Sequence, residues 1–183
     1  YTSSEIQPDM LNADITQTTD SPSWGGLYLQ YFEKFDQVQQ QKGILSVTKK
    51  LFIEKIGSDG KQELLPLGKE KLKTGDKVIT RLTLSLKQDM DFLYLKDFRA
   101  ACFEPIGQLS GNQWKFGTVY YEESKDAVTN FFFNSLAKGT YVLEYPVWVN
   151  QAGTYQDGIA TFQSMYAPEY TAYSEAGKIT VTK

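Results

Sequence analysis

The residues that could do chemistry in this chain are mainly carboxylates, because histidine is absent and cysteine occurs once. The chain therefore lacks a Ser-His-Asp or Cys-His centre and any histidine-based zinc or haem site. Cys102 alone can form neither an internal disulfide nor a four-cysteine metal site. The carboxylates that could form a calcium site or a catalytic pair are Asp89, Asp91, Glu122, Glu123, Asp126 and Asp157. They lack EF-hand spacing, and no pair can be assigned before the fold is known.

A denser set of charges lies at Lys96, Asp97 and Arg99, and Glu104 follows shortly after. Charges within an apolar strand either pair across a sheet or make an exposed edge that docks a partner. We predict a structural network of ion pairs here and keep a docking edge as the alternative.

The elements that must position these residues are predicted to be strands. Apolar and polar residues alternate over Val78–Leu86 and, less regularly, over Ile44–Ile56. Asn130–Asn150 is predicted to be a hairpin with its turn at Lys138-Gly139. Within it, Leu136-x-x-Gly139-x-Tyr141 has the spacing of a tyrosine corner, although Tyr141 could also be an ordinary core aromatic.

No helical period persists beyond one turn, and the pattern predicts about eight or nine strands at turn-spaced intervals. We therefore expect an all-β, immunoglobulin-like antiparallel β-sandwich with elaborated loops. Residues 1–23 are expected to be a linker or the last strand of a preceding domain, and residues 24–183 the sandwich, opening with a strand at Trp24–Phe32. The stretch 107–127 lacks clear periodicity, which indicates a functional loop or an unrecognised hairpin.

The composition excludes several classes of function. A chain of 183 residues with 41% hydrophobic residues can bury a substantial core. Its net charge of −3, without a basic stripe, argues against a nucleic-acid surface. No apolar run is long enough to span a membrane, and the polar start without Met suggests a processed piece of a longer protein.

Four stretches together carry a resemblance to a known family: Trp24–Val38, Thr74–Pro105, Tyr120–Tyr145 and Gly153–Tyr170. The combination LKDFRAACFEP, TNFFFNSLAKGTYVLEY and QSMYAPEY resembles the C-terminal, receptor-binding-like domain of bacterial alpha-2-macroglobulins. The resemblance implies a macroglobulin-like sandwich within an exported parent in the periplasm or cell envelope. Such a parent traps proteases through a Cys–Gln thioester in another domain.

The resemblance also implies where this domain acts. Met165, Tyr166 and Pro168 fall where the family places the loop that covers the thioester, so they are expected to shield it. The thioester motif Cys-Gly-x-x-Gln is absent, since Cys102 is followed by Phe-Glu-Pro-Ile. A non-catalytic role follows, without cofactor, metal or small-molecule substrate. The expected partners are the thioester domain and the other macroglobulin domains of the parent, and the target protease indirectly.

Two other classes of function remain open on sequence alone. A carbohydrate-binding or adhesion sandwich would stack sugars on aromatic side chains, namely Trp114, Tyr120, Tyr121 and Trp148. A glycoside hydrolase fragment would need a carboxylate pair but no histidine. For Trp114, Tyr120 and Tyr121, in the stretch 107–127, we slightly favour the interpretation that they pack onto the core.

Overall fold

The computed structural model describes residues 5–7, 10, 12, 14–25, 32–58, 60–68, 71–107 and 109–183, apart from the side chain of Asp36. The chain divides into two compact units, residues 1–32 and 33–183. None of the described residues of the first unit lies in a β-strand. Most of the strand predicted at Trp24–Phe32 falls on residues 26–31, outside the described residues. The predicted domain boundary after residue 23 stays a prediction.

Two sheets with antiparallel pairing form most of the second unit. The five-stranded sheet has, in spatial order, β2 (Gln62–Pro66), β1 (Leu45–Ile56), β4 (Lys77–Leu86), β10 (Gly139–Val149) and β6 (Phe103–Pro105). The six-stranded sheet has β13 (Thr171–Tyr173), β12 (Ala160–Ser164), β5 (Met90–Phe98), β9 (Val128–Leu136), β8 (Thr118–Ser124) and β7 (Gly111–Lys115).

A smaller third sheet accompanies them. It orders β11 (Gly153–Asp157), β14 (Gly177–Thr182) and β3 (Leu72–Lys73), and its β14–β3 pair is parallel. A 3-10 helix, Phe35–Gln37, precedes β1. Within the described part of the chain, no helix is long and apolar enough to cross a membrane.

The core forms because alternate residues of each strand point to the same side of its sheet. In β4 every second residue from Val78 to Leu86 is buried, as the sequence predicts. Leu93 and Leu95 of β5 join the same apolar cluster from the six-stranded sheet. This arrangement confirms the predicted all-β, antiparallel sandwich.

Within the stretch 107–127, β7 and β8 form a hairpin rather than a structureless loop. Its turn residues Phe116 and Gly117 have φ angles of 60° and 73°, as a two-residue type I′ turn requires. Such turns usually carry Asn-Gly or Asp-Gly, so Phe-Gly gave no turn signal. The ring of Phe116, a residue type that rarely adopts this left-handed conformation, packs edge-on against Tyr141 at 5.2 Å.

Candidate docking ridge on the β12–β13 loop

The loop between β12 and β13 is held in one shape by its own hydrogen bonds. The Ser164 amide donates to the Tyr170 carbonyl at 3.1 Å, and the Tyr170 amide donates to the Ala167 carbonyl at 2.9 Å. The hydroxyl of Ser164 accepts from the Ala167 amide at 3.3 Å, and the Pro168 carbonyl accepts from the hydroxyl of Thr171. Pro168 therefore shapes the return of the chain into β13, while the residues before it project outward.

Three apolar side chains stand exposed at this loop, and we call Phe92, Met165 and Tyr166 the Tyr166 ridge. Their relative exposures are 48%, 49% and 78%. Phe92 meets Tyr166 edge-to-face at 5.1 Å, and its carbonyl accepts the Met165 amide at 2.8 Å. Contiguous exposed apolar side chains are a feature of contact surfaces, so the ridge is the candidate docking surface.

Phe92 adopts an unusual backbone conformation at the base of the ridge. Its φ is 53°, in the left-handed region that phenylalanine rarely occupies. Such strain persists only where the surroundings enforce it, and it concentrates at functional sites. The conformation brings a Phe92 ring from β5 against Tyr166, a contact that sequence spacing alone did not indicate.

The predicted charge cluster is not brought together. Arg99 is buried and donates to the side chain of Thr129 and to the carbonyls of Lys125 and Asp126, so it fixes the turn between β8 and β9. Lys96 places its ammonium 4.4 Å from the centre of the Phe98 ring. Glu104 is exposed in β6, opposite Trp148. Among the described residues, no ion pair joins two of the four charges.

Asp97 instead pairs with a lysine that sequence reasoning did not single out. Lys49 of β1 places its Nζ 3.0 Å from Oδ1 of Asp97 and 2.9 Å from Oδ1 of Asp157. Because Lys49 and Asp97 point inward from different sheets, the pair connects the two layers through the core. The signal was present in the sequence: Lys49 occupies the inward register between Val47 and Leu51.

The protonation of this cluster follows from burial and charge together. Burial would lower the pKa of Lys49, but the carboxylates of Asp97 and Asp157 offset this effect and its pKa is raised. The resting cluster therefore holds an ammonium. Burial raises the pKa of Asp157, although the Lys49 charge opposes the shift. Burial and the neighbouring Asp97 raise the pKa of Tyr145 well above its usual value.

The predicted corner residues lie at the start of β10. The hydroxyl of Tyr141 donates to the Ala137 carbonyl at 2.7 Å, the geometry of a tyrosine corner. A β-carbon on Gly139 would lie 3.5 Å from that hydroxyl, so the ring covers the glycine. A second Gly-Thr-Tyr follows β10: the hydroxyl of Tyr155 donates to the Ala152 carbonyl at 3.1 Å above Gly153.

The four aromatic residues of the carbohydrate alternative do not form one platform. Tyr120 is buried against Phe131 and Phe133, whereas Trp114 and Tyr121 are exposed on the β7–β8 hairpin. Trp148 is exposed on β10, in the other sheet. A sugar-stacking surface built on all four is therefore not formed.

The acidic residues do not gather around a site either. Asp89 accepts the Lys138 amide at 2.7 Å, and Glu123 accepts from the side chain of Asn130 at 2.8 Å. Within the part of the chain that the structure describes, no group of three or more metal-ligating side chains is placed to hold an ion.

Cys102 is fully buried just before β6. Burial raises the pKa of its thiol from 9.0 to about 11, so the thiolate does not form in the folded chain at neutral pH. The only thiol of the chain is therefore placed as an inert core residue.

Cys102 is expected to make stability fall in alkali. Below pH 9.0 the thiol keeps its proton in both states; between 9.0 and about 11 only the unfolded chain releases it, which favours unfolding. The full loss is roughly 2–3 kcal/mol, at about 1.4 kcal/mol per pKa unit. Urea unfolding of the wild type and of Cys102→Ala at pH 8 and 11 checks this. Tyr145 also has a raised pKa, but it is present in both chains, so the difference between the two declines reports on Cys102. Equally steep declines in the two chains would contradict the prediction.

Comparison with known protein families gives a match over most of the chain. The profile of the bacterial alpha-2-macroglobulin MG10 domain matches residues 45–169. No curated protein matches the chain.

Solved structures match over most of the chain. Native Escherichia coli alpha-2-macroglobulin from domain MG7 to the C-terminus is 19% identical with a TM-score of 0.60, over 79% of this chain and 24% of that one. Salmonella alpha-2-macroglobulin reacted with methylamine is 20% identical with a TM-score of 0.61, over 80% and 10%. The Escherichia coli protein activated by porcine elastase is 20% identical with a TM-score of 0.62, over 80% and 14%. These identities establish likeness of fold, and the chain spans a quarter or less of each relative.

Proposed function

Because the chain belongs to the bacterial alpha-2-macroglobulin MG10 domain family, we propose that it is a non-catalytic domain that shields the thioester domain of a protease-trapping parent. The Tyr166 ridge packs on the thioester domain in the resting parent and separates from it on activation. The observation that carries the proposal is the exposure of Met165 and Tyr166 on a loop of fixed shape.

The chemistry of the ridge suits this role. A thioester survives only when water is kept from its acyl carbon, so its cover needs bulky side chains that carry no amine or thiol. Met165 supplies an adaptable apolar side chain, and Tyr166 supplies a rigid ring. Phe92 supports that ring from below, and Pro168 limits movement of the loop.

The same proposal covers the partners, the location and the domain boundaries. The partners are the thioester domain and other macroglobulin domains of the parent, and the protease is met indirectly. The parent is exported to the periplasm or cell envelope. Residues 1–23 end the preceding domain, and residues 24–183 form the shielding domain. Supporting observations are the fit to multidomain relatives and the buried, unreactive thiol of Cys102.

Replacing Tyr166 by Ala in the parent is expected to speed spontaneous release of the thioester thiol about tenfold, equivalent to about 1.4 kcal/mol of lost protection. Release is followed with a thiol reagent in the absence of protease. Unfolding should shift by no more than about 0.5 kcal/mol, because Tyr166 is 78% exposed.

Two controls make the test specific. Tyr166→Phe keeps the ring and should release thiol at the wild-type rate. Trp148→Ala removes a half-exposed aromatic from the other sheet and should also leave the rate unchanged. A wild-type rate in Tyr166→Ala would show that Tyr166 does not shield the thioester.

A further inference from the structure

We propose that Lys49 and Asp97 are a self-modifying pair, which condenses into an intramolecular amide between the two sheets with Asp157 as the proton carrier. The shielding role does not use this cluster. It lies inside the sandwich, where the side-chain exposures of Lys49, Asp97 and Asp157 are 3%, 0% and 17%.

The amine is held in place by backbone carbonyls. Nζ of Lys49 donates to the Phe98 carbonyl at 2.7 Å and to the Gly158 carbonyl at 2.9 Å. The facing oxygens of Asp97 and Asp157 lie 3.0 and 2.9 Å from Nζ, within ion-pair distance. The nitrogen is thus fixed beside two carboxyl groups, each at contact distance.

Asp97 is the better acyl partner of the two carboxylates. Its Oδ2 accepts a hydrogen bond from the buried hydroxyl of Tyr145. That donor would stabilise negative charge on this oxygen as the nitrogen adds to the carboxyl carbon. Oδ1, on the side of Lys49, is then the oxygen that leaves.

Asp157 is placed to move the protons. It borders a cleft of about 470 Å³ that also reaches Lys49, which gives the released water a path outward. Burial raises the pKa of Asp157, so its protonated form is accessible in the cluster.

The step balances without any co-reactant. The Lys49 ammonium passes a proton to Asp157, and the amine adds to the Asp97 carboxyl carbon. A C–N bond forms, the C–Oδ1 bond breaks, and Oδ1 leaves as water with protons that originate on Nζ. Asp157 ends as it began, and ammonium plus carboxylate have become amide plus water.

The site favours condensation over hydrolysis for two physical reasons. Holding the two groups at contact distance replaces a bimolecular encounter by a reaction of high effective molarity. The product is neutral, so condensation removes a buried ion pair whose desolvation is unfavourable.

The intact mass of the folded 183-residue chain tests the proposal directly. The expected mass is that of the sequence less one water, and digestion should yield a branched peptide joining Lys49 to Asp97. Lys49→Met cannot form the link and should show its full sequence mass. Asp157→Ala should keep both reacting groups yet remain unlinked in the folded chain.

Other results overturn it. A folded wild-type chain at its full sequence mass would exclude the amide. A water loss located at an Asp-Gly step instead, or a water loss also present in Lys49→Met, would exclude it equally. Complete linkage in Asp157→Ala would overturn the assignment of Asp157 as proton carrier.

Discussion

Replacing Lys49 by Met is expected to lower the free energy of unfolding by about 3–5 kcal/mol, the usual result of removing one partner from a buried ion pair. The substitution nearly preserves side-chain volume, so the loss is electrostatic rather than a cavity effect. Among the described residues, the fully buried Asp97 would keep only the Tyr145 hydroxyl as a hydrogen-bond partner. Where Lys49 and Asp97 are joined by the amide proposed above, the substitution removes that link instead of an ion-pair partner, and the change in stability has the same sign. Urea unfolding monitored by tryptophan fluorescence measures the change.

A double variant separates charge burial from packing. Lys49→Met combined with Asp97→Leu replaces the inter-sheet pair by apolar side chains and should recover part of the loss, because apolar replacement of a buried pair is often neutral. The two single changes should therefore be strongly non-additive. A loss below about 1 kcal/mol in Lys49→Met would contradict the central place of this pair in the core.

Replacing Gly158 by Ala is expected to destabilise the chain by about 3 kcal/mol, at the upper end of the range for overpacking. A β-carbon there would lie 2.0 Å from the Phe98 carbonyl oxygen and 2.5 Å from the Phe98 β-carbon. Both are fixed by β5, and relief requires the backbone to move. That movement would also open the carbonyl pair that holds Lys49. Thermal and urea unfolding both report the loss.

Gly177→Ala is the matched control, since a β-carbon at Gly177 meets nothing within 4 Å and Gly177 pairs with Asp157 nearby. It should change stability by no more than about 0.5 kcal/mol. Equal effects of the two substitutions would show that the close approach of Gly158 to Phe98 does not determine stability.

Alternation predicted the strands whose two faces differ, and failed where tertiary contacts decided the structure. β4 alternates throughout, so both its existence and its inward face follow from sequence. The β7–β8 hairpin does not follow from the sequence, because its turn has Phe116 in a left-handed conformation against Tyr141. No local rule assigns such a turn to Phe-Gly.

The residues of the candidate site were likewise only partly predictable from the sequence. Met165 and Tyr166 were found through a motif, whereas Phe92 joins them only through β5–β12 pairing and its own left-handed φ. Asp97 is recognisable in the sequence as a charge in an apolar strand, but its partners Lys49 and Tyr145 come from β1 and β10. Contacts between residues so distant in sequence depend on sheet packing, which a single sequence does not specify.

Oxidation of Met165 tests the proposed docking most directly. Because its side chain is 49% exposed here, the thioether should be oxidised readily by dilute peroxide in the 183-residue chain. In the resting parent protein the same residue should be protected, and cleavage of the parent by a protease should restore its oxidation. Equal oxidation of Met165 in the isolated chain, the resting parent and the cleaved parent would contradict the proposal that the Tyr166 ridge is covered before activation and released by it.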